Sequence, residues 1–174
     1  KLEGNIPENV TDLTIGNRLR KLFTFPDIKN KLISLAVYNS RFAKFPDNLS
    51  NSLLKLDLNK NNFTSIPGTN LPINLKELYM NYNQITSIPN KLPINLKELY
   101  LNFNKITSVP EDMPKSLAIL CLTNNKITSI PDKLPDRLRI LRLDNNQITS
   151  ILSNLPNNLE ELYLDNNQIT SIPY

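Results

Sequence analysis

The residues best suited to chemistry are few in this chain. Of its 174 residues one is a cysteine, Cys121, none is a histidine and three are glycines. Without histidine the commonest general base and a common metal ligand are both missing. Three scattered glycines cannot form a loop that cradles phosphate. Cys121 could act as a nucleophile only if a nearby cation or helix terminus lowered its pKa, and in the sequence pattern only Arg142 is placed to do so; the other reading is a small, inert, apolar residue. The carboxylates recur evenly along the chain and do not converge. The expectation is therefore a protein that is not an enzyme, with no catalytic residue, no metal and no cofactor. Two spacings suggest binding instead: Tyr79 and Tyr100 stand 21 residues apart, and so do Tyr82 and Phe103.

That interval of 21 belongs to the whole chain. The pattern LxxLxLxxN starts at Leu75, Leu96, Leu117, Leu138 and Leu159 and continues backwards, with drift, at Leu53, Leu32 and Val10. Two of the seven intervals are 22, Val10 to Leu32 and Leu53 to Leu75, and the extra residue of the second is placed at Thr69. Repeats of about 20 to 29 residues with this leucine and asparagine pattern mark a leucine-rich repeat solenoid. Its units bury an apolar face only by stacking on one another. The expected organisation is one domain, residues 1–174, of eight repeats.

Alternation at Leu78-Tyr79-Met80 has the period of a short strand, with Leu78 and Met80 inward and Tyr79 outward. Stacked repeats then give short parallel strands on a concave face. The return segments, such as Ile88-Pro89-Asn90-Lys91-Leu92-Pro93, carry two prolines at Pro67 and Pro72, Pro89 and Pro93, Pro110 and Pro114, and Pro131 and Pro135, while Leu152 replaces the first proline before Pro156. Proline lacks an amide donor and holds φ near −65°, so the convex side should be extended or polyproline-like, with little or no helix. The ninth position of the motif holds Asn61, Asn83, Asn104, Asn125, Asn146 and Asn167, expected to form a ladder that satisfies turn backbone. Ser40 and Arg18 stand in that column in the degenerate N-terminal repeats.

Non-leucine positions of the motif form the concave surface. Adjacent strands lie about 4.8 Å apart, so Tyr79 and Tyr100 in the fifth column should cluster with Tyr82 and Phe103 in the eighth. Ile119 and Ile140 in the third column, beside Cys121, extend the apolar area, and Arg142, Asp144 and Tyr163 continue it. Exposed apolar area of this kind marks interaction sites, and tyrosine is common among binding hot spots. These residues are the candidate partner-binding set. Plain cross-strand stacking that stabilises the sheet would explain the same aromatics, and a solvated face would explain the charges Asp57, Lys60, Arg142, Asp144 and Asp165.

Leu-Pro ahead of LxxLxLxxN and Ile-Thr-Ser-Ile-Pro after it resemble the bacterial class of leucine-rich repeats. That class is found in type III secreted effectors such as Yersinia outer protein M and the invasion plasmid antigen H group of ubiquitin ligases. The resemblance spans nearly the whole chain and is strongest from Leu53 to Pro173. In the ligase group the repeats recognise substrate, and a separate helical domain carries a cysteine followed two residues on by aspartate. Here Cys121 is followed by Leu122-Thr123 inside a repeat, so ligase activity is not implied. The many isoleucines, asparagines and lysines are similar to repeats from AT-rich genomes.

The expected function is a protein-binding module, scaffold- or effector-like, whose concave face meets a protein partner. Two alternatives remain open: assembly through uncapped solenoid ends, which share a phase near Leu2 and Pro173, and substrate recognition within a larger enzyme. The net charge of +4 is mixed along the chain and leaves no footprint for nucleic acid. No apolar run reaches the roughly 18 residues of a membrane span. A single cysteine allows no intrachain disulfide, which favours a reducing, intracellular setting, a host cell included. The opening Lys1-Leu2-Glu3-Gly4 points to trimming of a longer product. The sequons at Asn9, Asn48 and Asn62 are as many as this composition yields by chance.

Overall fold

A computed structural model describes residues 6–16, 31–46 and 49–172 of the chain. Asn17 and Arg18 of the first repeat, the sequon residue Asn48, and Leu2 and Pro173 lie outside the described residues. Eight strands appear in chain order: β1 (Asp12–Ile15), β2 (Ser34–Val37), β3 (Lys55–Asp57), β4 (Glu77–Tyr79), β5 (Glu98–Tyr100), β6 (Ile119–Cys121), β7 (Ile140–Arg142) and β8 (Glu161–Tyr163). All pair in parallel with their sequence neighbours in one sheet. No helix occurs among the described residues. This is the parallel-strand solenoid that the repeat pattern leads to.

Register is kept even where the repeat length changes. Lys55, Leu56 and Asp57 pair with Glu77, Leu78 and Tyr79 across a step of 22, and the next step returns to 21. The extra residue is absorbed in the return segment around Gly68 and Thr69, because a slip of one within the strand would turn its leucines out to solvent. Gly68 also packs tightly: a Cβ there would lie 3.2 Å from Pro89 and 3.3 Å from the Lys91 carbonyl.

One core runs the length of the stack. Leu56, Leu78, Leu99, Leu120 and Leu141 form its strand layer, Leu58, Met80, Leu101, Leu122 and Leu143 the layer beside it, and Ile85, Ile106, Ile127 and Ile148 the return layer, all at most 1% exposed. The last repeat packs on one side only, and Leu159, Leu162, Leu164 and Ile169 are half-buried.

From the return segment before β4 onward, the second proline opens a turn into the next strand, and Ser50 holds that place before β3. The proline carbonyl accepts a hydrogen bond from the first leucine of the motif, as from Leu75 to Pro72, Leu96 to Pro93 and Leu117 to Pro114, at 3.0–3.1 Å. Proline fits because only its carbonyl is used and its fixed φ suits a turn.

The ninth-column asparagines join consecutive repeats. Asn104 Oδ1 accepts from the Ile85 amide of the preceding repeat at 3.0 Å, while its Nδ2 donates to the carbonyls of Met80 and Leu101 at 3.0 Å. Asn83, Asn125, Asn146 and Asn167 repeat the arrangement. Asn61 does the same for Phe42 and Val37. At Ser40 a shorter side chain reaches only the carbonyl of Tyr38 in its own repeat, at 2.9 Å. The first described turn is accordingly held from one side, by Asn61 Oδ1 to the Ser40 amide.

Candidate functional site

The concave face is built by two devices, both of which sequence reasoning missed. Just after each strand from β2 to β8 the eighth residue of the motif adopts a left-handed conformation: φ is 54° at Asn39, 55° at Lys60, 56° at Tyr82 and Phe103, 58° at Asn124, 55° at Asn145 and 54° at Asn166. The chain must turn sharply here so that the ninth residue can point inward. The turn is fastened by the eighth amide, which donates to the seventh carbonyl of the next repeat, Tyr82 to Asn102 and Phe103 to Thr123, both at 2.9 Å. Asparagine tolerates this region because its short polar side chain bonds locally, whereas other L-residues lose roughly 1–2 kcal/mol there. The doublets Asn124-Asn125, Asn145-Asn146 and Asn166-Asn167 carry that signal in the sequence. Tyr82 and Phe103 break it.

The second device is a shorter ladder in the seventh column. The Asn59 side-chain oxygen accepts from the Asn81 amide at 2.6 Å, that of Asn81 from Asn102 at 2.8 Å, and that of Asn102 from Thr123 at 2.8 Å. These bonds stiffen the sheet edge directly beneath the aromatic residues. Three asparagines spaced at the repeat interval, Asn59, Asn81 and Asn102, were the available sequence signal.

On this frame the four central aromatics form two parallel stacks. Tyr79 and Tyr100 lie 4.6 Å apart at 5°, and Tyr82 and Phe103 lie 4.3 Å apart at 7°. A lysine closes each stack on the N-terminal side, Lys55 at 4.9 Å from the Tyr79 ring and Lys60 at 5.6 Å from Tyr82. The two stacks differ in exposure. Tyr79 and Tyr100 are half-buried and their hydroxyls are engaged, Tyr79 donating to Glu77 at 3.1 Å and Tyr100 to Glu98 at 3.2 Å. Tyr82 and Phe103 remain 48% and 42% exposed.

The electrostatics follow from this packing. Burial, then the negative charge of Glu98 and the hydrogen bond to it, push the Tyr100 phenol up to about 12. Tyr79 is raised further, by burial first and then by its bond to Glu77. Glu77 is paired with Lys55 at 3.1 Å, whereas Glu98 has no ion pair among the described residues. Over the non-leucine motif positions from Leu53 onward, the acids Asp57, Glu77, Glu98, Asp144, Glu160, Glu161 and Asp165 are nearly balanced by Lys55, Lys60, Lys76, Lys97, Arg139 and Arg142.

Cys121 departs from the expected concave surface. Its side chain is 4% exposed, under its larger neighbours, and burial pushes the thiol up to about 11, outweighing the lowering effect of Arg142. A thiol that stays protonated is a poor nucleophile, and a buried one offers little area to a partner. Ile119 and Ile140 are half-buried beside it. Arg142 lies 4.3 Å over the Tyr163 ring and 3.9 Å from Glu161, and the Tyr163 hydroxyl donates to Glu161 at 2.9 Å. Asp144 accepts from the Thr123 hydroxyl at 3.2 Å, and Asp57 from the Asn59 amide at 2.9 Å. Much of the expected charged rim thus serves the sheet itself. Among the described residues no three histidine, cysteine or acidic side chains gather as a metal site would require.

Between Tyr100 and Arg142 the face opens into a depression of about 380 Å³, with Ile119, Ile140 and Phe103 on its walls and Cys121 in its floor. A hollow of about 460 Å³ lies on the turn side around Met113, Leu134 and Pro135, rimmed by charges of both signs such as Asp112 and Lys133.

Comparison with known proteins agrees with this architecture. A family model described as leucine-rich repeats in two copies matches residues 73–111 and 136–174, and a second leucine-rich repeat model matches residues 94–148. No curated protein matches the chain. Among solved structures, a Shigella effector leucine-rich repeat domain is 32% identical with a TM-score of 0.71, covering 81% of this chain and 61% of its own. YopM from Yersinia enterocolitica WA-314 is 25% identical with a TM-score of 0.65, covering 98% and 45%. A chain from an octameric complex of Latrophilin 3, Unc5D and FLRT2, whose FLRT2 part is a leucine-rich repeat, is 28% identical with a TM-score of 0.73, covering 95% and 52%. The chain spans less than two thirds of the length of each of these structures.

Proposed function

The chain belongs to the leucine-rich repeat proteins, of a bacterial-effector-like class, and from that membership we propose that it is a non-enzymatic module that docks a protein partner on the aromatic block of its concave face. The observation that carries this reading is the pair Tyr82 and Phe103. Both occupy a backbone conformation that costs an ordinary L-residue roughly 1–2 kcal/mol, at a position where five other repeats place asparagine. Both leave nearly half of their surface in water. Strained backbone combined with exposed aromatic area is poorly explained by folding alone, and such strain gathers at functional sites. A partner that covers Tyr82 and Phe103 gains apolar burial that the free protein forgoes.

The FLRT2 repeat is part of a protein complex, which supports a docking role as the general use of this architecture. Partner identity and a scaffold or effector role belong to the proposal.

The test replaces Tyr82 and Phe103 together by asparagine, the residue that other repeats carry there. Relief of left-handed strain opposes the loss of one stacked pair, about 0.5–1.5 kcal/mol, and of the Lys60 contact, about 0.5–1 kcal/mol. Stability in urea should therefore stay within about 1 kcal/mol of the parent. Capture of the partner should fall by roughly 30-fold or more, the scale of a hot spot of about 2 kcal/mol. Undiminished capture by the folded double variant would remove the aromatic block from the binding surface.

A further inference from the structure

The fifth column of the sheet is a stack with one rung missing. From the N-terminal side Lys55 covers Tyr79 and Tyr79 stacks on Tyr100; from the other side Arg142 covers Tyr163. Between them the column position belongs to Cys121, paired in register with Tyr100 and Arg142. Its side chain is too short to reach the level of the rings, and it forms the floor of the depression that Tyr100, Arg142, Ile119 and Ile140 enclose. We propose that this slot receives one aromatic side chain of the protein partner, which slides between the free face of Tyr100 and the guanidinium of Arg142 and completes the column. The proposal rests on the concave-face docking reading above and goes further by naming what enters and where.

The width is right for one planar group. Tyr100 and Arg142 are two strand spacings apart, roughly 9.6 Å. A ring placed midway has neighbours at about the separations already present in the column, 4.6 Å between Tyr79 and Tyr100 and 4.3 Å between Arg142 and Tyr163.

Charge selects among planar groups. A guanidinium would meet the positive charge of Arg142. An aromatic ring presents the negative face of its quadrupole to Arg142 and can stack, offset, on Tyr100. An aliphatic side chain would fill space without either interaction. The sides contributed by Ile119 and Ile140 are apolar, so the edges of the ring need no hydrogen-bond partner there. Glu161 near Arg142, at 3.9 Å, holds the guanidinium loosely. It leaves the cation free to adjust over an incoming ring.

The experiment presents a displayed library of random 12-residue peptides to the full chain, to Cys121→Tyr, to Lys91→Ala and to the Tyr82→Asn, Phe103→Asn double variant. Cys121→Tyr supplies the missing rung from within. Three other repeats carry tyrosine at this position, Tyr79, Tyr100 and Tyr163, so the variant should fold, which circular dichroism checks. The expected result is a set of peptides sharing one aromatic residue at a fixed place. Changing that residue to leucine should weaken binding at least tenfold, as should Cys121→Tyr in the protein, while Lys91→Ala, on an exposed return segment, keeps affinity. Peptides that bind Cys121→Tyr as well as the parent but fail on the double variant would overturn the slot and leave concave docking standing. Peptides indifferent to both variants, or a library that yields no binder, would overturn both. Selection of arginine in place of an aromatic residue would overturn the choice of occupant.

Discussion

Changing Asn104 to alanine isolates what the asparagine ladder contributes. In the intact protein one side chain satisfies three buried backbone groups in two repeats, the Ile85 amide and the carbonyls of Met80 and Leu101, each at 3.0 Å. Alanine leaves all three without that partner. The Met80 and Leu101 carbonyls still accept from Asn83 Nδ2 at 3.1 Å and Asn125 Nδ2 at 3.0 Å, so the Ile85 amide alone is left unpaired. A buried polar group in that state costs about 1–3 kcal/mol, and the variant should lose about 2 kcal/mol, a large fraction of the roughly 5–15 kcal/mol that holds an ordinary domain together. Asn167 makes the same three bonds at 2.9–3.0 Å, to the Ile148 amide and the carbonyls of Leu143 and Leu164, but is only half-buried. Water can replace it, and Asn167→Ala should cost about 1 kcal/mol, the net worth of an ordinary hydrogen bond. Repeat arrays can open piecemeal, so the assay is native-state amide exchange at the two amides concerned, with urea unfolding alongside. Ile85 should lose roughly 30-fold of its protection in Asn104→Ala and Ile148 roughly fivefold in Asn167→Ala, at 1.4 kcal/mol per factor of ten. Equal losses at the two sites, or a loss below 1 kcal/mol at Asn104, would refute the argument that desolvation gives the ladder its strength.

Other expectations concern titration and reactivity. Tyr100 has its folded pKa raised to about 12 from 10.0, by burial and then by Glu98. The stability linked to it is therefore whole below pH 10 and is lost as pH rises through about 12. Absorbance titration of phenolate should show Tyr79 and Tyr100 late, with Tyr163 also raised by its bond to Glu161, and Glu98→Gln should bring Tyr100 earlier; an unmoved transition would contradict the part given to Glu98. Cys121, buried and pushed up to about 11, should react with a disulfide reagent at pH 8 at least tenfold more slowly in the folded protein than in denaturant. Comparable rates would show that the thiol is open to solvent.

Inspection of particular residues shows how much was legible. Leu78, Leu99 and Leu120 announce their burial because the pattern repeats with a fixed interval and each repeat can hide its leucines only against the next. The ninth-column asparagines were equally legible, since a buried turn must bond its backbone to something. The left-handed eighth position was written in the doublets from Asn124 onward, yet a conformational preference is a weak local bias, and Tyr82 and Phe103 obscure it. Cys121 was placed in the right column and at the wrong depth. A column states which way a residue points, whereas depth depends on the size of the rings on either side.

The sequence by itself determined the repeat, the sheet order, the inward and outward faces and the asparagine ladder, because all of these follow from one periodic constraint acting between nearest neighbours. Only the tertiary structure decided which outward residues are spent on the protein and which stay open. Tyr79 and Tyr100 give their hydroxyls to Glu77 and Glu98, while Tyr82 and Phe103 stay open to water on a strained backbone. The slot over Cys121 likewise exists only once three strands stand side by side. It is a difference in side-chain length between adjacent rungs, and a linear pattern carries no distance between a ring face and a guanidinium.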